Sequence, residues 1–403
     1  MTNAASADVL LTYGWVRSSY AALRNLTSHG VAAWVADSNR IGMSQWSRLK
    51  VGASLYTSHY IDEQAFVADI ARLARSLRVR YILPSHNETE VLARHRQILP
   101  DGTDRLLPQA EHCRVFNNKA LAYELAASVG ISVPRRLPAF ERPSDIVELM
   151  REAGWKNVVI KLLSGNSAKG VHYATSATEA VRVVERLIRQ YRLDRERYPQ
   201  IEEYVEGNGV GCSVLYWDGE PVADFQHRRL REKTATGGTS TLREVIVHEG
   251  VRRDAHHLMR SIGWHGLAMV EFKVCPNTGR HWFIEVNPRM WGSIPFAISA
   301  GAEFPYLAWL CATEGVAAAK AFDQHRKASW CGRWLLGDLI VAVSQLSKLQ
   351  LREAHRALWC TGADSVDDFH WDDLGAFLGE IVYYGSKFAR TRSTNPEDVG
   401  AVG

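Results

Sequence analysis

Residues 280–294, RHWFIEVNPRMWGSI, constrain the chain more than any other stretch. Residues 281–286 read as a strand whose end carries Glu285, Asn287 and, past Pro288, Arg289. Side chains two apart on a strand share a face, so Glu285 and Asn287 present oxygens to the same side. Upstream, Glu271 lies at the centre of a second strand-like run, Ala268-Met269-Val270-Glu271-Phe272-Lys273-Val274, and the turn-rich Pro276-Asn277-Thr278-Gly279 separates the two runs. A hairpin closed by that turn sets Glu271 beside Glu285. Adjacent carboxylates repel unless a cation sits between them, and magnesium suits because it takes oxygen ligands and keeps substrate phosphates among them. The competing reading is a surface hairpin with solvated acids. The hairpin alone does not decide, so the earlier residues must.

With 403 residues the chain has room for about two or three well-buried domains. A hydrophobic fraction of 46% against 23% charged is that of an ordinary globular protein. The net charge of +4 is small and its basic residues are spread out, so no nucleic-acid partner is expected. No apolar run approaches the roughly 20 residues that span a bilayer, so no membrane association is expected either. The opening MTNAASADVLLTYG has neither a basic n-region nor a cleavage pattern, which predicts a cytoplasmic protein. Six widely spaced cysteines without a CxxC fit reduced thiols and not a zinc site.

The first part of the chain alternates short apolar runs with helical patterns: 9–12, a helix over 18–28, a strand over 31–36 ending at Asp37, a helix over about 62–77, and Arg80-Tyr81-Ile82-Leu83. That alternation predicts an open parallel sheet. A dinucleotide site with Asp37 on a ribose is disfavoured, because Gly14-Trp15-Val16-Arg17-Ser18 lacks the G-x-G-x-x-G spacing. Instead the sheet is expected to line one wall of a cleft. Pro84-Ser85-His86-Asn87-Glu88 ends a strand where open sheets hold ligands, although Glu88 equally suits the first turn of the next helix.

Asn117-Asn118 precedes a helical run over 120–128 that stops at Gly130, so one asparagine is the N-cap and Gly130 the terminator. Lys119, in that first turn, opposes the helix dipole, which favours a role in holding an anion over simple solvation. Prolines 134, 138 and 143 mark a linker-like passage. Over 158–171, an apolar strand interrupted by Lys161 leads through the small-residue loop Gly165-Asn166-Ser167-Ala168-Lys169-Gly170 into a return strand. Such a loop closes backbone N–H groups around phosphate oxygens, but Walker spacing is absent, and taken alone it is an ordinary hairpin. Residues 178–197 read as an arginine-rich solvated helix. Gln200-Ile201-Glu202-Glu203-Tyr204-Val205-Glu206-Gly207 carries more acids than a buried strand should tolerate, which suits a hinge whose backbone reads an adenine edge.

In order, the Asn118-Lys119 helix, the Lys161 strand and its loop, the Glu202-Glu203-Tyr204-Val205 hinge, Glu271, and Glu285-Val286-Asn287-Pro288-Arg289 resemble the ATP-grasp superfamily, in its carboxylate–amine ligase type. The resemblance covers about 115–300. It implies an α/β fold with an N-terminal open parallel-sheet domain (1–112), a two-lobed α+β ATP-grasp domain (lobes 113–199 and 200–320) and a helical C-terminal extension (321–403). It also implies ATP with magnesium, or manganese as a substitute. Lys119 and Lys161 match the lysines on ATP phosphates, and Gly165, Ser167 and Gly170 belong to the covering flap. Glu203 and Val205 match backbone readers of adenine, Glu202 a side chain that orients the nucleotide, and Glu271, Glu285 and Asn287 the metal ligands. Family members often carry an acid after the hinge where this chain has Gly211-Cys212-Ser213, which leaves Glu206 as a candidate for the ribose.

Gln226-His227-Arg228-Arg229-Leu230-Arg231-Glu232-Lys233 is a basic cluster feeding a Gly/Ser/Thr loop that ends at Arg243. It resembles a variable loop of these ligases. Arg289 and Arg243 are the candidates for holding the transferred phosphoryl group or the acid. The implied reaction joins a small carboxylic acid to an amine through an acyl phosphate. An ATP-grasp kinase acting on a hydroxyl and a non-catalytic nucleotide-binding regulator are the alternatives. Trp15, Trp34 and Trp291 are either pocket or core. Residues 321–384 read as helices serving as a lid, a dimer face or packing, which leaves a homodimer open.

Overall fold

A computed structural model describes residues 6–163, 170–234, 237–359 and 362–391. The first sheet is parallel and runs β3-β2-β1-β4, from β1 (Val9–Leu11), β2 (Ala33–Asp37), β3 (Gly52–Leu55) and β4 (Tyr81–Leu83). Val9 lies between Ala33 and Tyr81, so β1 is central, and its wholly apolar sequence fits a strand covered on both faces. Asp62 caps the helix Glu63–Leu77, its side chain accepting from the Ala65 N–H at 2.9 Å.

The second sheet is antiparallel, order β6-β5-β7, from β5 (Val158–Lys161), β6 (Val171–Ala174) and β7 (Gln200–Glu203). It has its own core, in which Ile146, Met150, Val184, Leu187 and Ile201 meet. The third sheet has seven strands: β8 (Asn208–Trp217), β9 (Glu220–Thr234), β10 (Gly237–Val245), β11 (Gly266–Val274), β12 (His281–Asn287), β13 (Cys331–Arg333) and β14 (Ser365–Val366), in the order β12-β11-β8-β9-β10-β13-β14. No described helix is long and apolar enough to cross a membrane.

The α/β architecture, the leading parallel sheet and the C-terminal helices match expectation, and four details differ. First, β7, assigned from sequence to the second lobe, pairs with β5 of the small sheet, Ile160 opposite Ile201. Second, the helices Ala110–Asn117 and Lys119–Ser128 pack on the large sheet, where Phe116, Tyr123 and Ala126 share a core with Val270 and Phe283. Third, the Gly/Ser/Thr stretch before Arg243 is strand β10, and the C-terminal segment adds β13 beside it, Arg243 opposite Gly332, so that extension is not purely helical. Fourth, the arginine-rich helix ends at Tyr191, where Arg192 adopts left-handed backbone. The last helix, Leu374–Thr391, packs closely on the N-terminal domain: a Cβ added at Gly379 would lie 2.5 Å from the Gly42 carbonyl oxygen.

Asp37 is structural. Its carboxylate accepts from the N–H groups of Trp15 and Asn39, each at 2.8 Å, and so fixes the loop after β1. Burial pushes this carboxyl up to about 7, against the pull of those backbone bonds and with help from the Glu88 charge. The folded protein thus holds the proton more tightly than the unfolded chain does. Asp37's stabilising contribution is complete below about pH 4 and is lost as pH rises toward about 7. In urea titrations the stability of Asp37→Asn relative to wild type should rise across that window. A constant difference would show that Asp37 ionises normally.

Candidate active site

A cleft of about 890 Å³ runs between the three sheets. At its metal-type end the β11–β12 register places Glu271 directly opposite Glu285 and Met269 opposite Asn287. Asn287 Nδ2 donates to Glu271 Oε1 at 3.0 Å, so the amide and both acids form one group. Arg229 Nη2 is 2.5 Å from Glu271 Oε2, and Lys119 Nζ is 3.6 Å from Glu285 Oε2. Burial raises the Glu271 carboxyl, Arg229 lowers it and Glu285 raises it again. Among the described residues no group of three His, Cys, Asp or Glu side chains is arranged to hold a metal. Two carboxylates and one amide are the sparse donor set that suits a magnesium sharing its shell with phosphates.

Arg229 was visible in the sequence only as one of a basic cluster. It reaches Glu271 across the intervening strand β8 because Gly209 lacks a side chain; a Cβ there would come within 3.0 Å of Arg229 Cδ. Gly211, where the superfamily often carries an acid nearby, is equally crowded: an added Cβ would sit 2.6 Å from the His227 ring. That space is filled by a neutral imidazole, whose basicity is driven well down by burial and then by Arg229 and Arg243.

Also on the cleft wall, Lys161 Nζ lies 2.7 Å from Glu202 Oε2 and 3.0 Å from the Tyr123 hydroxyl, which in turn donates to Glu202 at 3.1 Å. Glu202 is tolerated in a buried strand because this lysine neutralises it. Tyr123 was missed, although it is four residues after Lys119 on one helix face. Asn118 caps that helix, accepting from the N–H groups of Ala120 and Leu121. The Lys119 N–H donates to the Leu163 carbonyl at 3.0 Å, which ties the helix to the strand before the flap. Gly170 lines the cleft against Leu162, whereas Gly165 and Ser167 lie outside the described residues.

The hinge residues Glu203 and Val205 also line the cleft. Glu203's N–H is bound to the Arg135 carbonyl and its carboxylate to the Arg135 side chain, leaving 204–207 as the segment free of sheet pairing before β8. Lys273 Nζ donates to the Val205 carbonyl at 3.3 Å. Arg289 lines the cleft and donates from Nε to Asn87 Oδ1 at 3.2 Å, joining the metal end to the loop after β4. In that loop Glu88 is both the first helical residue and an acceptor from Thr12, Ser85 and His86.

Arg243, expected at the substrate anion, is instead completely buried and absent from the cleft wall. It is ion-paired with Asp367 and donates to the Ser240 carbonyl. Of the three tryptophans, Trp15 and Trp291 line the cleft, while Trp34 covers Gly52 and donates to Ser54.

The fold is similar to that of known proteins. Residues 200–331 match the family described as "ATP-grasp in the biosynthetic pathway with Ter operon". The biotin carboxylase domain of Hydrogenobacter thermophilus 2-oxoglutarate carboxylase, solved with MgADP, ADP and bicarbonate, is similar with a TM-score of 0.64 and 15% identity, covering 81% of this chain and 74% of that one. A Campylobacter jejuni biotin carboxylase solved as a β,γ-ATP complex gives 0.62 and 16%, covering 78% and 72%. These likenesses establish the fold. Residues 200–331 match an ATP-grasp family, and the chain as a whole has the fold of these carboxylase domains. Among curated relatives, a putative urea carboxylase of Emericella nidulans is 24% identical over 207 residues, 48% of this chain. The phosphoribosylamine–glycine ligase of Archaeoglobus fulgidus is 24% identical over 164 residues, 40% of this chain. The matched regions span only 16% and 34% of those two proteins.

Proposed function

We propose that the chain is an ATP- and magnesium-dependent ligase that activates a small carboxylate as an acyl phosphate and joins it to an amine, releasing ADP and phosphate. The observation that carries this reading is the convergence, on one cleft, of two positioned lysines with a carboxylate pair and its amide. An ionised carboxylate is a poor electrophile. Its oxygen attacks the γ-phosphorus as the bond to ADP breaks; the amine nitrogen then attacks the acyl carbon, phosphate leaves and the nitrogen loses a proton. The residues' task is positioning and charge neutralisation.

Glu271, Glu285 and Asn287 would hold the magnesium, which when bound neutralises phosphate oxygens. Lys119 and Lys161 contact the phosphates, and 203–205 offer backbone to the adenine. Arg289, fixed by Asn87, and Arg229, beside Glu271, face the charge that develops on the transferred group. The Archaeoglobus relative, named for joining an amine to glycine, supports the same chemistry. With a panel of small acids and ATP, hydroxylamine should intercept the acyl phosphate as a hydroxamate with stoichiometric ADP. Formation of AMP and pyrophosphate would exclude this mechanism.

A further inference from the structure

The far end of the cleft is walled by elements outside the nucleotide motifs. Arg17 opens the helix Arg17–Ser28, and Glu380 and Tyr384 come from the last helix; all three line the cleft. Arg17 Nη1 is 3.2 Å from Asp367 Oδ2, its Nε is 3.9 Å from Glu380 Oε1, and its guanidinium lies 3.7 Å over the Trp334 ring. Neither acid takes Nη2, which lies beside Gly292, 3.7 Å from where a Cβ would stand.

Glu380 is 1% exposed. Its Oε1 accepts from Trp334 Nε1 at 3.1 Å, and besides Arg17 the Asp368 carboxyl acts on it. Asp368 is itself committed to the N–H groups of Leu335 and Leu336, at 3.0 and 2.9 Å. Burial, and then the Asp368 charge, push the Glu380 carboxyl well above the ordinary range, with Arg17 pulling it down. Glu380 Oε2 is buried with no hydrogen-bond partner among the described residues, so it is an oxygen that an incoming cation can satisfy. Trp334 under Arg17, and Trp15 stacked 4.4 Å from Tyr383, make the surroundings apolar and so strengthen charge recognition.

We propose that this end of the cleft is the subsite for an α-amino acid, with Arg17 Nη2 taking its carboxylate, Glu380 taking its ammonium group, and the C-terminal segment acting as the specificity element. The inference rests on the ligase reading, in which the amino acid is one of the two substrates. A cation and an anion side by side on one wall complement a zwitterion. A simple acid leaves Glu380 Oε2 unmet, and a simple amine leaves Arg17 Nη2 unmet. Each missing charged hydrogen bond should cost about 10- to 100-fold in affinity.

The full chain would be titrated calorimetrically, with magnesium and the β,γ-imido analogue of ATP present, against the twenty protein amino acids. The best binder would then be compared with its primary amide and its deaminated acid. At least one amino acid should bind, with both analogues about 10- to 100-fold weaker. Glu380→Gln should weaken the amino acid by that factor while sparing the deaminated acid and the nucleotide analogue. If no amino acid binds, if the analogues match the parent, or if Glu380→Gln weakens all three alike, the subsite is overturned. The analogue series on unaltered protein decides the matter even if the variant fails to fold. Hydroxamate formed from non-zwitterionic acids, with no amino-acid binding, would sink this subsite and leave the ligase reading intact.

Discussion

Glu285→Gln should lower ADP formation by about a thousandfold while leaving the fold intact. Glu285 is a strand-end residue facing the cleft, and its side chain is 30% exposed, so an isosteric amide disturbs little packing. What changes is charge. The substitution removes one of the two negative groups set opposite each other across β11 and β12. A correctly held metal stabilises the developing phosphoryl charge by several kcal/mol, and each 1.36 kcal/mol is about tenfold in rate. Circular dichroism and thermal unfolding would verify the fold, and ADP release against magnesium concentration would report the site. Near-normal turnover with unchanged magnesium dependence would remove the Glu271–Glu285 pair from the metal role.

The parts of this site that were legible in the sequence are those fixed by local geometry. Strand alternation and one turn put Glu271 across from Glu285, and a single asparagine with its following glycine delimits the Lys119 helix. Most of the parallel sheet was legible for the same reason, since β1, β2 and β4 are compact apolar runs, whereas the half-exposed edge strand β3, Gly-Ala-Ser-Leu, was not read. Contacts made across the fold were not. Arg243 carries no mark in its neighbourhood of the buried Asp367 that claims it, 124 positions away. Likewise Cys331–Arg333 is too short to show a strand period, and only its pairing with β10 and β14 makes it one.

The acids of β7 were an intermediate case. Their excess in an apolar strand was visible and pointed to the nucleotide hinge, but Glu202 is half of an ion pair inside the protein as well. Its partner lies on the adjacent strand, where Lys161 pairs with Gln200 in the ladder and so stands diagonally from Glu202. A lysine interrupting one buried strand and an acid interrupting the next are each odd alone. Together they are a neutral pair.

Substitutions separate that pairing from the phosphate contact proposed for Lys161. Both side chains are nearly inaccessible, 7% and 2% exposed, so Lys161→Met leaves a buried carboxylate supported only by the Tyr123 hydroxyl and the Gln200 amide. Breaking a buried pair from one side costs about 3–5 kcal/mol, because the surviving charge stays desolvated. Adding Glu202→Gln removes that charge and should return most of the lost stability in urea titrations, the amide oxygen accepting from Gln200 and its NH2 donating to the Tyr123 hydroxyl that Lys161 has vacated. Turnover should not return, since no ammonium remains to meet the phosphate. A double variant that regains both stability and ADP formation would reduce Lys161 to a structural counter-ion. Full stability in the single variant would mean that Glu202 was never held as a buried charge.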